Sequence, residues 1–175
     1  MFGIKTLSIS ALLAAALFAG AADVKLPMKM TDLAARLRHN CPGHVKISTR
    51  QDELVISISE AERKGGFDKT YGLNLKRFAG KKITIMIDVK LGEIDHGGKV
   101  PSTVGRLFFG DSVQNLVSSR TDWYTYTFKS VKIPNNGLLK MRISLKNLSG
   151  EIRLRNPHAK ADLPKPSKKK KKKKN

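Results

Sequence analysis

The residues best equipped for chemistry in this sequence are aromatic rings and guanidinium groups. Trp123 and Tyr124 open the segment WYTYTFKSVKIP, residues 123–134. Aromatic rings stack on the CH-rich faces of sugars, and polar side chains then fix the hydroxyls. Arg106, Arg142, Arg153 and Arg155 fall at the polar positions of alternating segments. They form either a solvated basic face or a face that grips an acidic or sulfated glycan. The parity of the aromatic segment sorts its rings. Tyr126 and Phe128 share one side and are expected to face a core. Tyr124 shares that side but lies near the start of the run, where it can reach an open edge. Trp123 has the opposite parity. Tyr71 shares parity with Leu73 and Leu75 and is expected in the core.

No constellation for catalysis emerges. His39, His44, His96 and His158 are scattered, without the spacing of a metal site. The sequence has no nucleophile elbow, phosphate-binding loop or dinucleotide fingerprint. Glu93 and Asp95 suggest paired carboxylates, but glycoside hydrolysis needs two carboxyl groups across a cleft, roughly 5–10 Å apart. Two acids in the Gly-rich stretch 91–98 read better as a solvated turn. Segment 88–95 could offer oxygens to a calcium ion, without a diagnostic spacing. Asn147, Leu148 and Ser149 fit a glycosylation sequon and equally fit turn chemistry. Cys41 is the only cysteine, so no intramolecular disulfide forms and burial must hold the core. The chain is expected not to be an enzyme.

The elements that would position these groups are strands. Apolar residues alternate with polar ones at Val45/Ile47, Leu54/Ile56/Ile58, Leu73/Leu75, Ile83/Ile85/Ile87/Val89, Leu139/Met141/Ile143/Leu145 and Ile152/Leu154. Period two marks half-buried strands. Turn residues lie between them, at 50–52, 65–66, 80–81, 97–98, 110–111, 135–137 and 149–150. Further strands are expected near 104–109, 114–118 and 123–133, which gives about nine. Leu33 and Leu37, with Thr31 ahead and Asn40, Pro42 and Gly43 behind, predict one short capped helix. The pattern predicts an all-β fold of two packed antiparallel sheets, a sandwich or barrel, and argues against a parallel α/β sheet.

The two ends differ from this body. Lys5, the uncharged apolar run 7–18 and the small residues Ala19, Gly20 and Ala21 follow the order of a secretory signal. The run is short for a membrane span, which needs about 20 residues. The expected division is a signal at 1–21, an extension with the helix at 22–43, a β-sandwich at 44–161 and a Pro/Lys linker and tail at 162–175. Secretion or export to a periplasm follows. The formal charge is +20. One charge belongs to Lys5 and eight to Lys165, Lys168, Lys169, Lys170, Lys171, Lys172, Lys173 and Lys174, so the body, taken as residues 22–164, keeps +11. Such a body favours anionic partners. The lysine run cannot pack and is expected to be disordered.

Motif order adds a resemblance. The segment TDWYTYTFKSVKIP is similar to the penultimate-strand region of jelly-roll carbohydrate-binding modules, the galactose-binding-like kind appended to xylanases and other glycoside hydrolases. Trp123, Tyr126, Phe128 and Pro134 carry the match. LLKMRISLKNLSGEIRLRNPHAK resembles that family's closing hairpin, with a Ser-Gly turn. YGLNLKRFAGKKITIMIDVK resembles an earlier strand, turn and strand. The likeness runs over about residues 45–160.

The resemblance implies a jelly-roll sandwich that binds polysaccharide, acidic ones included, on a concave face or at a loop end. Trp123, Tyr124, Arg106 and Arg142 are the candidate sugar-binding residues. For Trp123 the resemblance leaves two roles open, a cap on one end of the sandwich or a sugar platform. Two departures stand out. The family's acidic residues near a structural calcium are replaced by Arg155, Asn156 and Pro157, which argues against that calcium, and no other cofactor is expected. The opening Phe-Glu-x-Gly strand is absent before Val45. The implied protein is a monomeric, non-catalytic module, and one reading of its lysine end is the N-terminal piece of a hydrolase cut short at A-rich lysine codons. The alternative is a standalone secreted basic protein whose Lys168 to Lys174 bind anionic surfaces or polymers. Specific nucleic-acid binding is not expected, because no aromatics interleave the lysines. A small jelly-roll lyase or hydrolase is a third reading.

Overall fold

A computed structural model describes residues 24–39, 41–59, 66–95, 102–146 and 148–161. The expected signal, the polylysine tail, His96 and Asn147 lie outside the described residues. Among the described residues, ten strands and one α-helix follow in order. They are β1 (Val24–Lys25), α1 (Met30–Arg38), β2 (Val45–Arg50), β3 (Glu53–Ile58), β4 (Phe67–Asn74), β5 (Lys82–Asp95), β6 (Thr103–Phe109), β7 (Ser112–Val117), β8 (Tyr124–Lys132), β9 (Leu138–Leu145) and β10 (Ser149–Ala161).

The strands make two antiparallel sheets. One runs β2-β3-β10-β5-β8, with β1 also paired to β10. The other runs β4-β9-β6-β7. From β3 onward the chain switches sheet at every step except β6 to β7. That alternation is the jelly-roll pattern, and the two-sheet antiparallel sandwich is as the periodicity predicts. Each strand turns one face inward, so Ile83, Ile85, Ile87, Val89 and Leu91 of β5 are buried while their neighbours are not. Phe109 of β6 and Phe128 of β8 meet edge-to-face at 4.8 Å and 72°, which joins the sheets at the centre of the core.

Three features depart from the sequence reading. Thr31 lies inside α1. The N-cap is Lys29, which makes no side-chain capping bond. Packing sets this helix boundary: Met30, Leu33, Ala34 and Leu37 are buried in the same core as the sheets. Residues 22–43, expected as an extension, thus supply core residues from Leu26 to Leu37.

The predicted closing hairpin is not a hairpin. β9 pairs with β4 and β6, whereas β10 pairs with β3 and β5. The chain crosses between sheets near the fully buried Leu148. Leu148 belongs to the core shared by the two sheets. Gly150 then belongs to a strand, at φ 121°, and an added Cβ would lie 2.0 Å from the Glu93 carbonyl oxygen. Tyr71 is half-buried against the core, and the Arg36 guanidinium lies 5.2 Å from its ring centroid.

The turns expected at 50–52, 80–81, 110–111 and 135–137 form, while Gly65 and the turn expected at 97–98 lie outside the described residues. Gln51 and Asp52, at φ 46° and 67°, close the two-residue β2–β3 hairpin. Gly137, at φ 73°, packs where a Cβ would meet the Lys76 backbone.

Candidate functional site

The outer face of the four-stranded sheet collects side chains from four strands. In one row Asp68 of β4, Ser144 of β9, Arg106 of β6 and Asn115 of β7 lie side by side. In the next row stand Thr70, Arg142, Phe108 and Val113. Period two alone places them outward, because Phe67, Met141, Ile143, Leu107 and Phe109 fill the inward positions. The register then brings together residues up to 76 apart in sequence. A β-bulge interrupts the β6–β7 pairing between Thr103 and Gly105. Gly105 permits close packing against β9, since a Cβ there would lie 2.6 Å from the Ser144 carbonyl oxygen.

A cavity of about 310 Å³ opens on this face. Thr103, Gly105, Arg106, Phe108, Arg142, Ser144 and Lys146 are among its lining residues. Its apolar element is the half-buried Phe108 ring, continued by the exposed Val113. Its polar elements are organised around Asp68. Arg142 donates from Nε at 2.7 Å and from a terminal amine at 2.5 Å to the two carboxylate oxygens, a bidentate pair. Ser144 Oγ donates to the same carboxylate at 3.1 Å. The Arg142 hydrogen bonds hold Asp68 below its ordinary value. Partial desolvation opposes them, and Ser144 with the charges of Arg142 and Lys146 adds to the lowering. Arg142 also lies 5.3 Å from the Phe108 ring centroid, so the ring and the guanidinium form one surface.

The four candidate residues from the sequence do not share a face. Arg106 and Arg142 line this cavity. Tyr124 starts β8, on the edge of the other sheet, and Trp123 immediately precedes it. Trp123 is half-buried outside the core, and the Arg155 guanidinium covers its ring at 3.8 Å. Tyr124 is 41% exposed, but Arg120 stacks on it at 3.4 Å and Tyr126 meets it edge-on at 5.0 Å. Arg153 and Arg155 belong to an ion-pair lattice on that second face. Arg155 lies 3.6 Å from Glu53 and 3.7 Å from Asp88, and Arg153 pairs with Glu53 and Glu151.

Sequence reasoning passed over Phe108, Asp68 and Ser144. Phe108 sits between Leu107 and Phe109, so its outward parity was the available signal. For Asp68 and Ser144 no local signal existed, because only register joins them.

Where the resemblance would place a calcium, donors converge on Asp88 instead. Asn156 Nδ2 donates to it at 2.9 Å, Thr125 Oγ1 donates at 2.7 Å, and the Arg155 cation adjoins it. N–H groups and a guanidinium do not fit a calcium ion. Among the described residues no three His, Cys, Asp or Glu side chains gather closely enough to hold a metal. Glu93 and Asp95 are exposed at the end of β5. A larger hollow of about 460 Å³ lies beside β1, lined by residues 25–30, Asp52, Asn156 and Pro157, without an aromatic ring.

Fold and surface together define an antiparallel β-sandwich with an arginine- and phenylalanine-lined hollow on one outer face. Solved structures of similar shape include the family 11 carbohydrate-binding module of Clostridium thermocellum in complex with a β-1,3-1,4-mixed-linked tetrasaccharide. It is 12% identical, with 83% of this chain and 100% of that chain covered and a TM-score of 0.48. The C-terminal family 22 carbohydrate-binding module of a Clostridium thermocellum xylanase is 11% identical over 67% of this chain and 79% of that one, with a TM-score of 0.41. The enzymatically active domain of a bacteriophage CBA120 tailspike is 14% identical over 67% of this chain and 18% of that one, with a TM-score of 0.44. No family model and no curated protein matches the chain.

Proposed function

We propose that this chain is an exported, non-catalytic polysaccharide-binding module, of the kind that accompanies glycoside hydrolases, and that its site is the hollow on the outer face of the four-stranded sheet. One observation carries the reading: an aromatic ring, Phe108, stands on a rigid sheet with convergent polar groups from Arg106, Arg142, Asp68 and Ser144 around it. Sugar sites are built this way, with an apolar platform for the ring face and fixed donors and acceptors for hydroxyls. The cavity falls at the small end of ligand pockets, of order 300 Å³, which suits one or two sugar rings of a longer chain.

The same geometry supports a non-catalytic role. Hydrolysis of a glycosidic bond needs two carboxyl groups, one held protonated near neutrality. Asp68 is the carboxylate next to this hollow, and Arg142 keeps it ionised. Export rests on the order of Lys5, the apolar run and the small residues at 19–21. Mass spectrometry of the secreted product should find a mature chain starting at residue 22.

The test of the binding site is affinity electrophoresis of the full chain through gels containing β-glucan, xylan, galactan or pectic polysaccharide. Retardation by at least one polymer, weakened by Phe108→Ala, is expected. Free migration through every polymer, or retardation that Phe108→Ala leaves untouched, would overturn the assignment.

A further inference from the structure

We infer that the glycan taken by this hollow is anionic, carrying carboxylate or sulfate groups, and that Arg106 is the side chain that reads its charge. The inference rests on the sugar-binding reading above and narrows it.

Charge pairing within the site is the reason. The hollow is bordered by three cations, Arg106, Arg142 and Lys146, and by one carboxylate, Asp68. That carboxylate is already satisfied by a bidentate pair with Arg142 and by the Ser144 hydroxyl. Among the described residues no carboxylate pairs with Arg106, although it stands in the same row as Asp68. Its neighbours across the sheet are Ser144 and Asn115, which are neutral. Arg106 is therefore an exposed cation of the cavity lining. A neutral glucan or xylan would leave the Arg106 guanidinium without a counter-charge.

A uronate carboxylate or sulfate ester offers two oxygens in a geometry that matches a guanidinium fork. Phe108 sits two residues along the same strand, about 7 Å away at strand spacing. That separation lets one pyranose ring stack on Phe108 while a charged substituent on it or the next ring reaches Arg106. At Trp123, on the other sheet, the adjoining cation is already matched by carboxylates. Arg155 over Trp123 is shared between Glu53 and Asp88.

The experiment is calorimetric titration of the full chain, Arg106→Gln, Phe108→Ala and Trp123→Ala with matched oligosaccharides. The ligands are a hexamer of galacturonate, its methyl-esterified form, a sulfated galactan oligomer, and neutral mixed-linkage glucan and xylan oligomers. Short ligands and shared tails keep the polylysine contribution equal among the variants. The galacturonate or the sulfated oligomer should bind at least about tenfold more tightly than the neutral ligands, since a charge-assisted contact is worth that much. Arg106→Gln should remove this preference, and Phe108→Ala should weaken binding generally, while Trp123→Ala leaves it unchanged. Preference for galacturonate over its ester identifies a carboxylate, and preference for the sulfated oligomer identifies a sulfate.

Equal affinity for neutral and charged ligands, with Phe108→Ala weaker and Arg106→Gln unchanged, would overturn the anionic assignment and leave the sugar site standing. Anion binding that neither Arg106→Gln nor Phe108→Ala alters would also overturn it, and would place the binding in the lysine tail. Loss of binding only in Trp123→Ala would overturn both readings by moving the site to the other sheet.

Discussion

Asp68 holds Arg142 by two hydrogen bonds, and that grip decides how much positive charge the hollow can offer a ligand. Removing the carboxylate charge should release it. Asp68→Asn is expected to raise affinity for an anionic oligosaccharide about three- to tenfold, a factor expected of one partly exposed charge pair. Unchanged affinity in titration would show that Arg142 does not face the ligand. The same pair sets a pH dependence. The folded value of Asp68 is depressed below its ordinary 3.8, so its contribution to stability is fully present above that value. It is lost as pH falls through the depressed value. The stability difference between the native chain and Asp68→Asn should therefore be constant near neutrality and close in acid, below about pH 4. Denaturant titrations from pH 2 to 7 measure it. Both groups are largely solvated, so the difference is small.

At the scale of elements, the close contact between β5 and β10 depends on one glycine. Gly150 takes φ 121°, and its Cα faces the Glu93 carbonyl. Gly150→Ala would add both backbone strain and a clash with main chain, for a cost of about 2 kcal/mol or more. Thermal unfolding reads this directly. Gly72→Ala, on the β4 surface where an added Cβ meets nothing within 4 Å, is the matched control and should change stability little. Phe128 of β8 and Trp123, just before that strand, separate in the same way. Phe128 is fully buried against Phe109, so Phe128→Ala should cost about 3–5 kcal/mol. Trp123 lies outside the core, so Trp123→Ala should leave a cooperatively folded protein with lower stability only by its lost contacts. Failure of Trp123→Ala to fold would restore its role as a cap on the sandwich.

Over the whole molecule, the helix and both sheets share one core. Leu33 of α1 is fully buried in the cluster that also holds Ile56, Ile85 and Leu139. Leu33→Ala should lower the stability of the entire domain by about 2–5 kcal/mol, in a single transition. A separate early transition for the helix would mean that residues 22–43 are an appendage after all. The +11 charge of the body bears on partners more than on folding. Apolar burial opposes its self-repulsion, so added salt should stabilise the fold while weakening capture of anionic polymer.

Periodicity by itself determined the strands. Alternation at 83–89, 139–145 and 152–154 follows from one buried and one solvated face per strand, which is a local property of the chain. Turn residues such as those at 51–52 and 135–137 were legible for the same reason. Arginines at outward positions were legible too, and two of them line the hollow. Which strands pair was not legible. A Ser-Gly pair looks the same whether it closes a hairpin or lies in a strand that has changed sheet, and β9 pairs with β4 and β6 instead of β10. Register alone set Asp68 beside Arg142, 74 residues away, and separated Trp123 and Tyr124 from Arg106 and Arg142. Parity tells which side of a strand a residue faces. Only the packing of two sheets decides which side chains meet there.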